Sequence, residues 1–259
     1  MSTYVMSDVH GLKDRYDAML EALALQNEDT LFVLGDVIDR GRDGIAILLD
    51  IMNRDNAHML LGNHEYMMKQ YYEAVHHVIT DMQEAWVVTD RWQRNHCSPT
   101  IDAFECLNER KQRELLDYLD ELPIAICDLK VNEELFYLTH GSAQPQFMRG
   151  IVTQQDVKDS DVTMERFVWD RMDVHERLFD DRSVIVGHTP TLFFQEAHPY
   201  AIWTDTGDVK TARIMDIDCG CVRQMIFTAD WGLSVWIQEP YSISKSGLTL
   251  TLCHGVYFL

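Results

Sequence analysis

The alternation of apolar and polar positions in the first quarter of the chain predicts strands and helices in turn. Residues 3–7 form a short apolar run, and two further runs, TLFVLGD and AHMLLGN, follow at residues 30–36 and 57–63. Between these runs, apolar residues recur at helical spacing in two stripes, which consist of Leu12, Tyr16, Met19, Leu20 and Leu23 and of Ile45, Leu48, Leu49 and Met52. Asp43 is placed to cap the second stripe. This order of elements is typical of a mainly parallel α/β sheet.

The next segment, from about residue 65 to residue 122, has an almost wholly helical pattern that is broken at NHCSPT, residues 95–100. The pattern then changes to strands, in PIAICDLKV, LFYLTHG and SVIVGHT, with an acidic helical stretch near residues 154–180. We interpret residues 65–122 as a helical insertion that lies over one end of the sheet. The chain as a whole, residues 1–259, is expected to form a single domain with this insertion.

Composition narrows the classes of protein to which the chain can belong. Its 259 residues are 46% hydrophobic and 25% charged, as in an ordinary soluble globular protein. No apolar stretch approaches the ~20 residues that span a bilayer, and the N-terminus lacks the pattern of a signal peptide. The six cysteines are scattered, so we expect a reduced cytoplasmic protein without membrane contact. The formal net charge of −20 at pH 7 disfavours a surface that binds extended nucleic acid through its phosphates.

Five apolar runs end in aspartate, histidine or asparagine beside a glycine. The sequences at these ends are MSDVHG, LGDVIDRG, LGNHE, LTHGS and IVGHT. In open α/β sheets, ligands bind outside the carboxyl ends of the strands, so these side chains are expected to converge although they are far apart in sequence. Polar residues that only cap turns would account for one or two such positions, but not for all five. The pattern therefore predicts a polar site at one edge of the sheet.

The residue types at these ends suit a metal centre. Asp8 and His10 are two positions apart, so in an extended chain they would project to the same side and could bind one ion. Asn63 and His64 are adjacent and must point in different directions, so one can face a metal while the other faces a substrate. Asp36 can bridge two ions through its two oxygens. A donor set of nitrogen and oxygen favours manganese, iron or zinc and disfavours a thiolate site.

The motifs DVHG, GDVIDRG, GNHE, HG and GHT, in that order, resemble those of the metallophosphoesterase (calcineurin-like) superfamily. The GDxxDRG and GNHE forms resemble its bacterial phosphoprotein-phosphatase branch. Together the motifs extend from residue 8 to residue 189 and so cover most of the chain. The resemblance implies the metallo-dependent phosphatase fold, in which a central β-sandwich is flanked by helices in the order α/β/β/α.

The resemblance also implies a role for each metal-binding position. The implied ligands of the first metal are Asp8 and His10, the bridging ligand is Asp36, and the implied ligands of the second metal are Asn63, His140 and His188. The centre is expected to hold two divalent or trivalent ions, with manganese as the first choice and iron or zinc as alternatives. Two departures from the family pattern bear on substrate fit rather than on metal binding: Ser7 replaces the usual glycine, and HGS replaces the usual HGG.

The remaining matched positions are implied to act on the substrate. His64 matches the residue that protonates the leaving oxygen, and Asp39 matches the carboxylate that orients it. Arg40 matches an arginine that binds the phosphate, and Arg171, in FVWDRM, is the candidate for a second one. The late segment DIDCGC resembles a strand of bacterial members that has no implied catalytic role.

The function implied by the resemblance is hydrolysis of phosphate monoesters, on a phosphoprotein or a small ester, by a hydroxide that bridges the two metals. Symmetrical cleavage of dinucleoside polyphosphates is the alternative within the same chemistry. A scaffold that binds metal without catalysis is the alternative from another class, and the presence of every ligand disfavours it. The sequence leaves the physiological substrate and the oligomeric state open.

The insertion is expected to influence the choice of substrate. It begins directly after His64, so its first turns should emerge at the mouth of the metal site. We expect it to form a partial lid that sets substrate size, because peripheral elements give selectivity to a shared core. Residues 91–100 are expected to be an exposed part of this lid that metal binding and aryl phosphate hydrolysis do not need.

Overall fold

The computed structural model describes residues 2–173, 178–190, 201–203, 214–218, 234–245 and 248–258 of the chain. Within these ranges the strands form a five-stranded and a six-stranded sheet. None of the described helices combines the length and the apolar character that crossing a membrane would need.

The first sheet has the order β10-β11-β1-β2-β3 among the described strands. Its parallel part consists of β1 (Thr3–Met6), β2 (Thr30–Val33) and β3 (Ala57–Met59). These strands are connected by α1 (Lys13–Leu23) and α2 (Gly44–Met52), as the alternating pattern predicts. A hairpin of two long strands completes the sheet, with β11 parallel to β1, and its members are β10 (Ser234–Lys245) and β11 (Leu248–Phe258).

The second sheet has the order β6-β4-β5-β7-β9-β8 among the described strands. Its members are β4 (Ala125–Val131), β5 (Glu134–Thr139), β6 (Ile151–Val152), β7 (Arg182–Val186), β8 (Ala201–Trp203) and β9 (Ile214–Asp216). Strands β5, β7 and β9 are parallel, whereas β4, β6 and β8 run antiparallel to their neighbours. The carboxyl ends of β5 and β7 therefore lie at one edge of this sheet.

The two sheets pack face to face. Along the strands of both sheets, successive apolar side chains alternate between two clusters, as the period of two in a β-strand requires. The cluster between the sheets consists of Val5, Phe32, Leu34, Leu60, Ile126, Val131, Phe136, Leu138, Ile185 and Ile217. Their neighbours, such as Met6, Val33 and Tyr137, belong to the cluster that packs the outer faces against the helices. The predicted β-sandwich with flanking helices is thus confirmed.

The segment after β3 is helical, as predicted, and contains four helices. They are α3 (Asn63–Val75), α4 (Met82–Arg94), α5 (Ser98–Glu105) and α6 (Glu109–Glu121). The predicted break at residues 95–100 falls where α4 ends and α5 begins. Asp81 and Asn108 accept hydrogen bonds from the backbone N–H groups of Glu84 and Lys111, so these side chains determine where α4 and α6 start.

Within the described part of the acidic stretch near residues 154–180, which the sequence predicts as helical, there are only two short helices. They are α7 (Gln154–Lys158), which begins with a capping box of Thr153 and Asp156, and α8 (Met164–Val168). Residues 171–173 are not helical, and residues 174–177 lie outside the described ranges. Helix α8 ends at Val168, and the carbonyl oxygen of the next residue, Trp169, lies 3.1 Å from His188 Nε2 in the candidate site.

Strand β2 ends before the polar motif begins, because Gly35 turns the chain. Its φ of +95° is in a region that residues with a side chain rarely adopt. A Cβ atom at this position would also collide with the backbone nitrogen and Cα of Gly62. The turn after β2 and the turn before α3 are therefore in direct contact, which brings Asp36 next to Asn63 and His64.

Candidate metal centre

The candidate ligands lie just beyond the carboxyl ends of β1, β2, β3, β5 and β7, where the motifs place them. The backbone there is not extended: φ is +57° at Asp8, +47° at His10, +54° at Asp36 and +66° at His188. Non-glycine residues adopt such left-handed conformations rarely, and they do so preferentially at functional sites. The expectation that Asp8 and His10 project together from an extended chain is therefore wrong. A tight turn brings them together, with His10 Nε2 3.9 Å from Asp8 Oδ1.

Two groups of side chains within the described residues could each hold a metal ion. One group is His10, Asp36 and His64, the other is Asp36, His140 and His188, and the donor atoms of each group lie within 4.8 Å of one another. Asp36 belongs to both groups, as a bridging ligand must. Its Oδ2 lies 3.8 Å from His10 Nε2, and its Oδ1 lies 3.4 Å from His140 Nε2.

Backbone carbonyls orient three of the histidine rings. His10 Nδ1 lies 3.1 Å from the carbonyl oxygen of Ile38, His140 Nδ1 lies 2.7 Å from that of Leu34, and His188 Nε2 lies 3.1 Å from that of Trp169. A carbonyl oxygen only accepts, so each of these nitrogens carries the proton. The other nitrogen of each ring then presents a lone pair to the site. Metal-ligating histidines have this arrangement, with the second nitrogen donating to a carbonyl or carboxylate.

The side-chain oxygen of Asn63 lies beside the nitrogens of two of these histidines. It lies 2.9 Å from His140 Nε2 and 2.8 Å from His188 Nδ1. In neutral histidine rings, both of these nitrogens carry a lone pair that faces the Asn63 oxygen, which is also an acceptor. Such a contact is unfavourable unless a proton is present or the three atoms share a bound cation. Asp8 supplies a second sign, because its Oδ1 is buried and has no hydrogen-bond partner. The donor set thus fits a metal centre.

Burial and mutual charge interactions shift the pKa values of the groups in this centre. Burial opposes ionisation of Asp36, but the charges of His140 and His64 hold the pKa of this carboxyl well below its usual range. Burial likewise opposes the charged form of His140, but Asp36 overcomes this and raises the pKa of His140 to about 10. Burial and the charge of His140 lower the pKa of His188 to about 3. The site is therefore built around the negative charge of Asp36.

His64 differs from the other three histidines in its orienting partner. Its Nδ1 lies 2.6 Å from Oδ2 of Asp39, a buried carboxylate, rather than from a backbone carbonyl. Its Nε2 lies 3.2 Å from Arg40 Nη2, and a guanidinium only donates, so Nε2 accepts and Nδ1 carries the proton. By the distances between donor atoms alone, His64 would belong to the metal-binding group with His10 and Asp36, and Asp8 would not. The carboxylate of Asp39 can stabilise a protonated His64 ring, as a general acid needs, although metal-ligating histidines also bond to carboxylates.

The two candidate phosphate-binding arginines lie at the solvent-exposed side of the centre. Arg40 is exposed and follows Asp39 in the same turn, with a φ of +66°. Arg171 is also exposed. The pKa of His188 is lowered mainly by burial and by the charge of His140, and the positive charge of Arg171 makes a smaller contribution in the same direction. Both guanidinium groups are therefore near the candidate ligands.

Glu65 is a residue of the site that sequence analysis did not assign, although it belongs to the GNHE motif. It is fully buried, and its Oε2 accepts a hydrogen bond of 2.8 Å from the backbone N–H of Asp36. Its Oε1 accepts from the N–H groups of Val37 and Ile38, at 2.8 Å and 3.2 Å. Burial and the charge of Asp36 raise the pKa of Glu65 to about 7. This carboxylate holds the turn that presents Asp36.

Replacing Glu65 with glutamine should lower the free energy of unfolding by about 1–3 kcal/mol. The N–H groups of Asp36 and Val37 bond to different oxygens, so either orientation of the amide turns a donor toward a donor. Urea denaturation at about pH 8, where Glu65 is ionised, measures the loss. Glu105→Gln, at an exposed position of α5, is the matched control and should change little. Equal stability of the two variants would contradict the assigned role.

Asp39 is held by two residues of the insertion that sequence analysis also did not assign. Trp92 Nε1 donates to Oδ2 at 2.8 Å, and Thr100 Oγ1 donates to Oδ1 at 2.6 Å. Both side chains are buried, so the expectation that residues 91–100 are an exposed part of the insertion is wrong at these two positions. The physical reason is that α4 and α5 pack their polar atoms onto the turn after β2, and sequence separations of 53 and 61 residues gave no signal of this contact.

Relatives with curated names match part of this chain. Over 149 residues it is 26% identical to the symmetrical bis(5'-nucleosyl)-tetraphosphatase of Chromohalobacter salexigens, which covers 57% of this chain and 47% of that protein. Over 78 residues it is 35% identical to the protein of the same name from Psychromonas ingrahamii, which covers 29% of this chain and 28% of that protein. The chain thus matches less than half the length of these curated relatives.

A solved structure and a family model match more of the chain. The crystal structure of a cold-active protein tyrosine phosphatase covers 97% of this chain and 80% of its own, with a TM-score of 0.52 and 16% identity, so the likeness concerns the fold alone. The family model of the calcineurin-like phosphoesterases matches residues 1–218, which include every motif of the candidate centre. That family uses a divalent metal centre, and the described His and Asp groups can bind metal. The chain belongs to the calcineurin-like phosphoesterase family.

Proposed function

We propose that this chain is a metal-dependent phosphoric ester hydrolase. The observation that carries the proposal is the convergence of nitrogen and oxygen donors around Asp36, directly beside the pair formed by His64 and Asp39. A scaffold that only binds metal would not need a buried acid–base pair next to its ligands. The donor set and the pair are separate requirements of hydrolysis, and this chain contains both.

The proposed ligands divide between two ions. Asp8 and His10 would hold the first ion, Asp36 would be shared, and the ligands of the second would be Asn63, His140 and His188. When bound, the ions supply Lewis-acid chemistry that makes water a better nucleophile and neutralises charge on the phosphoryl oxygens. Manganese is our first choice for both positions, and iron or zinc would suit the same donors.

His64 is proposed to deliver the proton that the leaving oxygen needs. Water adds to phosphorus and loses one proton to solvent, the bond from phosphorus to the leaving oxygen breaks, and a proton on His64 Nε2 passes to that oxygen. Solvent then returns a proton to Nε2. Nε2 lies 3.2 Å from Arg40 Nη2, so the proposed acid is next to the proposed phosphate-binding group. Asp39 accepts from Nδ1 and stabilises the charged ring.

Arg40 and Arg171 are proposed to bind the phosphoryl oxygens. A guanidinium group presents its donors in a planar fork that matches two oxygens of a phosphate. Their permanent positive charges would attract a phosphate group to a chain whose formal net charge is −20. A compact phosphate group is favoured, because the large negative net charge of the chain would repel an extended polyanion.

Two substrate classes fit this chemistry. Phosphate monoesters, on a protein or a small molecule, are our first candidate, because the GDxxDRG and GNHE motifs resemble the phosphoprotein-phosphatase branch. Dinucleoside polyphosphates are the second candidate, since both curated relatives carry the name of a symmetrical tetraphosphatase. The two classes give different products from the same site.

Product analysis should separate these candidates. The purified chain with Mn²⁺ is offered 4-nitrophenyl phosphate, phosphopeptides and diadenosine tetraphosphate, and the products are resolved by ion-exchange chromatography. Release of inorganic phosphate from the monoesters, with slower cleavage of the dinucleotide, is the expected result. Preferential release of adenosine diphosphate from the dinucleotide would establish the second candidate instead. No metal-dependent cleavage of any of them, in a chain that binds the ions, would contradict the proposed hydrolase.

A further inference from the structure

The carboxylate of Asp39 is bound on every side by donors from other elements. Its Oδ2 accepts from His64 Nδ1 at 2.6 Å and from Trp92 Nε1 at 2.8 Å. Its Oδ1 accepts from Thr100 Oγ1 at 2.6 Å, and the same hydroxyl oxygen accepts from the backbone N–H of Asp39 at 2.9 Å. Asp39, Trp92 and Thr100 are all buried, so bulk water does not replace a donor that is removed.

Two of these donors come from helices that lie outside the metal-binding motifs. Trp92 belongs to α4 and Thr100 to α5, whereas Asp39 follows β2 and His64 is in the first turn of α3. The backbone between α4 and α5 also contacts the same turn, because the carbonyl of His96 accepts from the N–H of Arg40 at 3.2 Å. The helical segment is therefore joined to the turn that carries the acid's partner and the phosphate-binding arginine.

The geometry of these contacts decides where His64 points. A carboxylate can rotate about its Cβ–Cγ bond, and the ring that it orients would rotate with it. Thr100 donates to one oxygen and its hydroxyl is itself held by the backbone N–H of Asp39, and Trp92 shares the other oxygen with His64. With both oxygens fixed, the Nδ1–H of His64 has one direction in which to donate, and its Nε2 must face the site. Misplacement of a reacting group by about 1 Å can cost about 100-fold in rate.

We propose that Trp92 and Thr100 are positioning residues for protonation of the leaving group. They hold Asp39 so that His64 Nε2 faces the substrate oxygen, and the helical segment is thereby part of the catalytic apparatus. This inference rests on the proposed function, because His64 has a leaving oxygen to protonate only if the chain cleaves phosphoric esters. It assigns to α4 and α5 a role that a lid would not have.

The first test uses two substitutions at Thr100. Thr100→Val keeps the shape but removes both hydrogen bonds, whereas Thr100→Ser keeps the hydroxyl. With phenyl phosphate, which has a poor leaving group, the valine variant should lose about 10-fold in kcat at unchanged KM and metal content. With 4-nitrophenyl phosphate, which needs little protonation, the loss should stay below about threefold. The serine variant should behave like the wild-type chain on both esters.

Trp92→Phe tests the second donor, since it keeps an aromatic ring but removes the indole N–H. We expect the same dependence on the leaving group as for Thr100→Val. Two matched controls lie on α4. They are Thr89→Val, which removes a hydroxyl that bonds to the carbonyl of Ala85, and Trp86→Phe, at an exposed indole. Neither residue contacts Asp39, so both controls should retain wild-type kcat on each ester.

A spectroscopic measurement separates the inference from the proposed function. In the ¹H spectrum of ¹⁵N-histidine-labelled protein, the proton on Nδ1 of His64, assigned by its loss in His64→Ala, should be shifted in Thr100→Val and restored in Thr100→Ser. If the wild-type chain cleaves neither ester, the proposed function fails, and these spectra still test the positioning. An unshifted proton in Thr100→Val, or equal losses on the two esters, would overturn the inference.

Discussion

Replacing Asp36 with asparagine should reduce metal binding at both ligand groups at once and lower the rate of hydrolysis by more than about 100-fold. Loss of a residue that only orients a metal ligand costs up to about 100-fold, so loss of a shared ligand should cost more. The two oxygens of this buried carboxylate face His10 and His140, at 3.8 Å and 3.4 Å. An amide of the same shape carries no charge, so it neither binds two cations nor balances them. Elemental analysis of the purified variant measures the loss of metal, and its kcat/KM measures the loss of hydrolysis.

Two further variants make this result specific. His188→Ala should empty mainly the second position, because His188 belongs to one of the two ligand groups. Asp43→Asn, at an exposed position near the same turn whose side chain caps no helix, is the matched control for loss of a carboxylate. A full complement of metal in Asp36→Asn would contradict the shared ligand, and metal loss in the control would point to a general effect of surface charge.

Removal of the His64 ring should separate chemistry from metal binding. His64→Ala should retain its metal, while kcat falls about 10²–10⁴-fold on an ester with a poor leaving group, the usual contribution of a general acid. An activated aryl phosphate should lose much less. The reason is that Nδ1 of His64 donates to the buried carboxylate of Asp39, which stabilises the protonated ring that a general acid needs.

Metal content decides between the two roles of His64. Its Nε2 lies 3.8 Å from Asp36 Oδ2, close enough for the ring to be a ligand in the group with His10. If His64→Ala loses one ion per chain, the histidine is a ligand and the acid must be sought elsewhere. Asp39→Asn supplies the companion measurement, and it should lower kcat in the same direction without loss of metal.

Much of the fold could be predicted from the sequence, because it depends on patterns among residues that are close together in the chain. The alternation of apolar residues locates the parallel strands, and glycines beside Asp or His mark where those strands end. The rule that ligands bind at carboxyl ends then brings distant motifs together, from Asp8 to His188. These steps need only local spacing and one topological rule, and the observed strands and sandwich confirm them.

The remainder of the site depends on contacts that no local pattern encodes. Trp92 and Thr100 reach Asp39 across 53 and 61 residues, and both look like ordinary helical positions in the sequence. Glu65 is part of a recognised motif, but its three amide partners lie on a turn that only the tertiary structure brings to it. The bond that orients a histidine ring is likewise set by whichever carbonyl the fold places behind it.

The left-handed turns of the site have a consequence for engineering of this chain. Non-glycine residues in this conformation cost about 1 kcal/mol or more each, and at this site they are Asp8, His10, Asp36, Asp39, Arg40 and His188. A search for stabilising substitutions would therefore be drawn to these positions, since glycine relaxes the backbone at every one of them. Such a search would select stable proteins without a centre, so selection for thermal stability and selection for activity should diverge most sharply here.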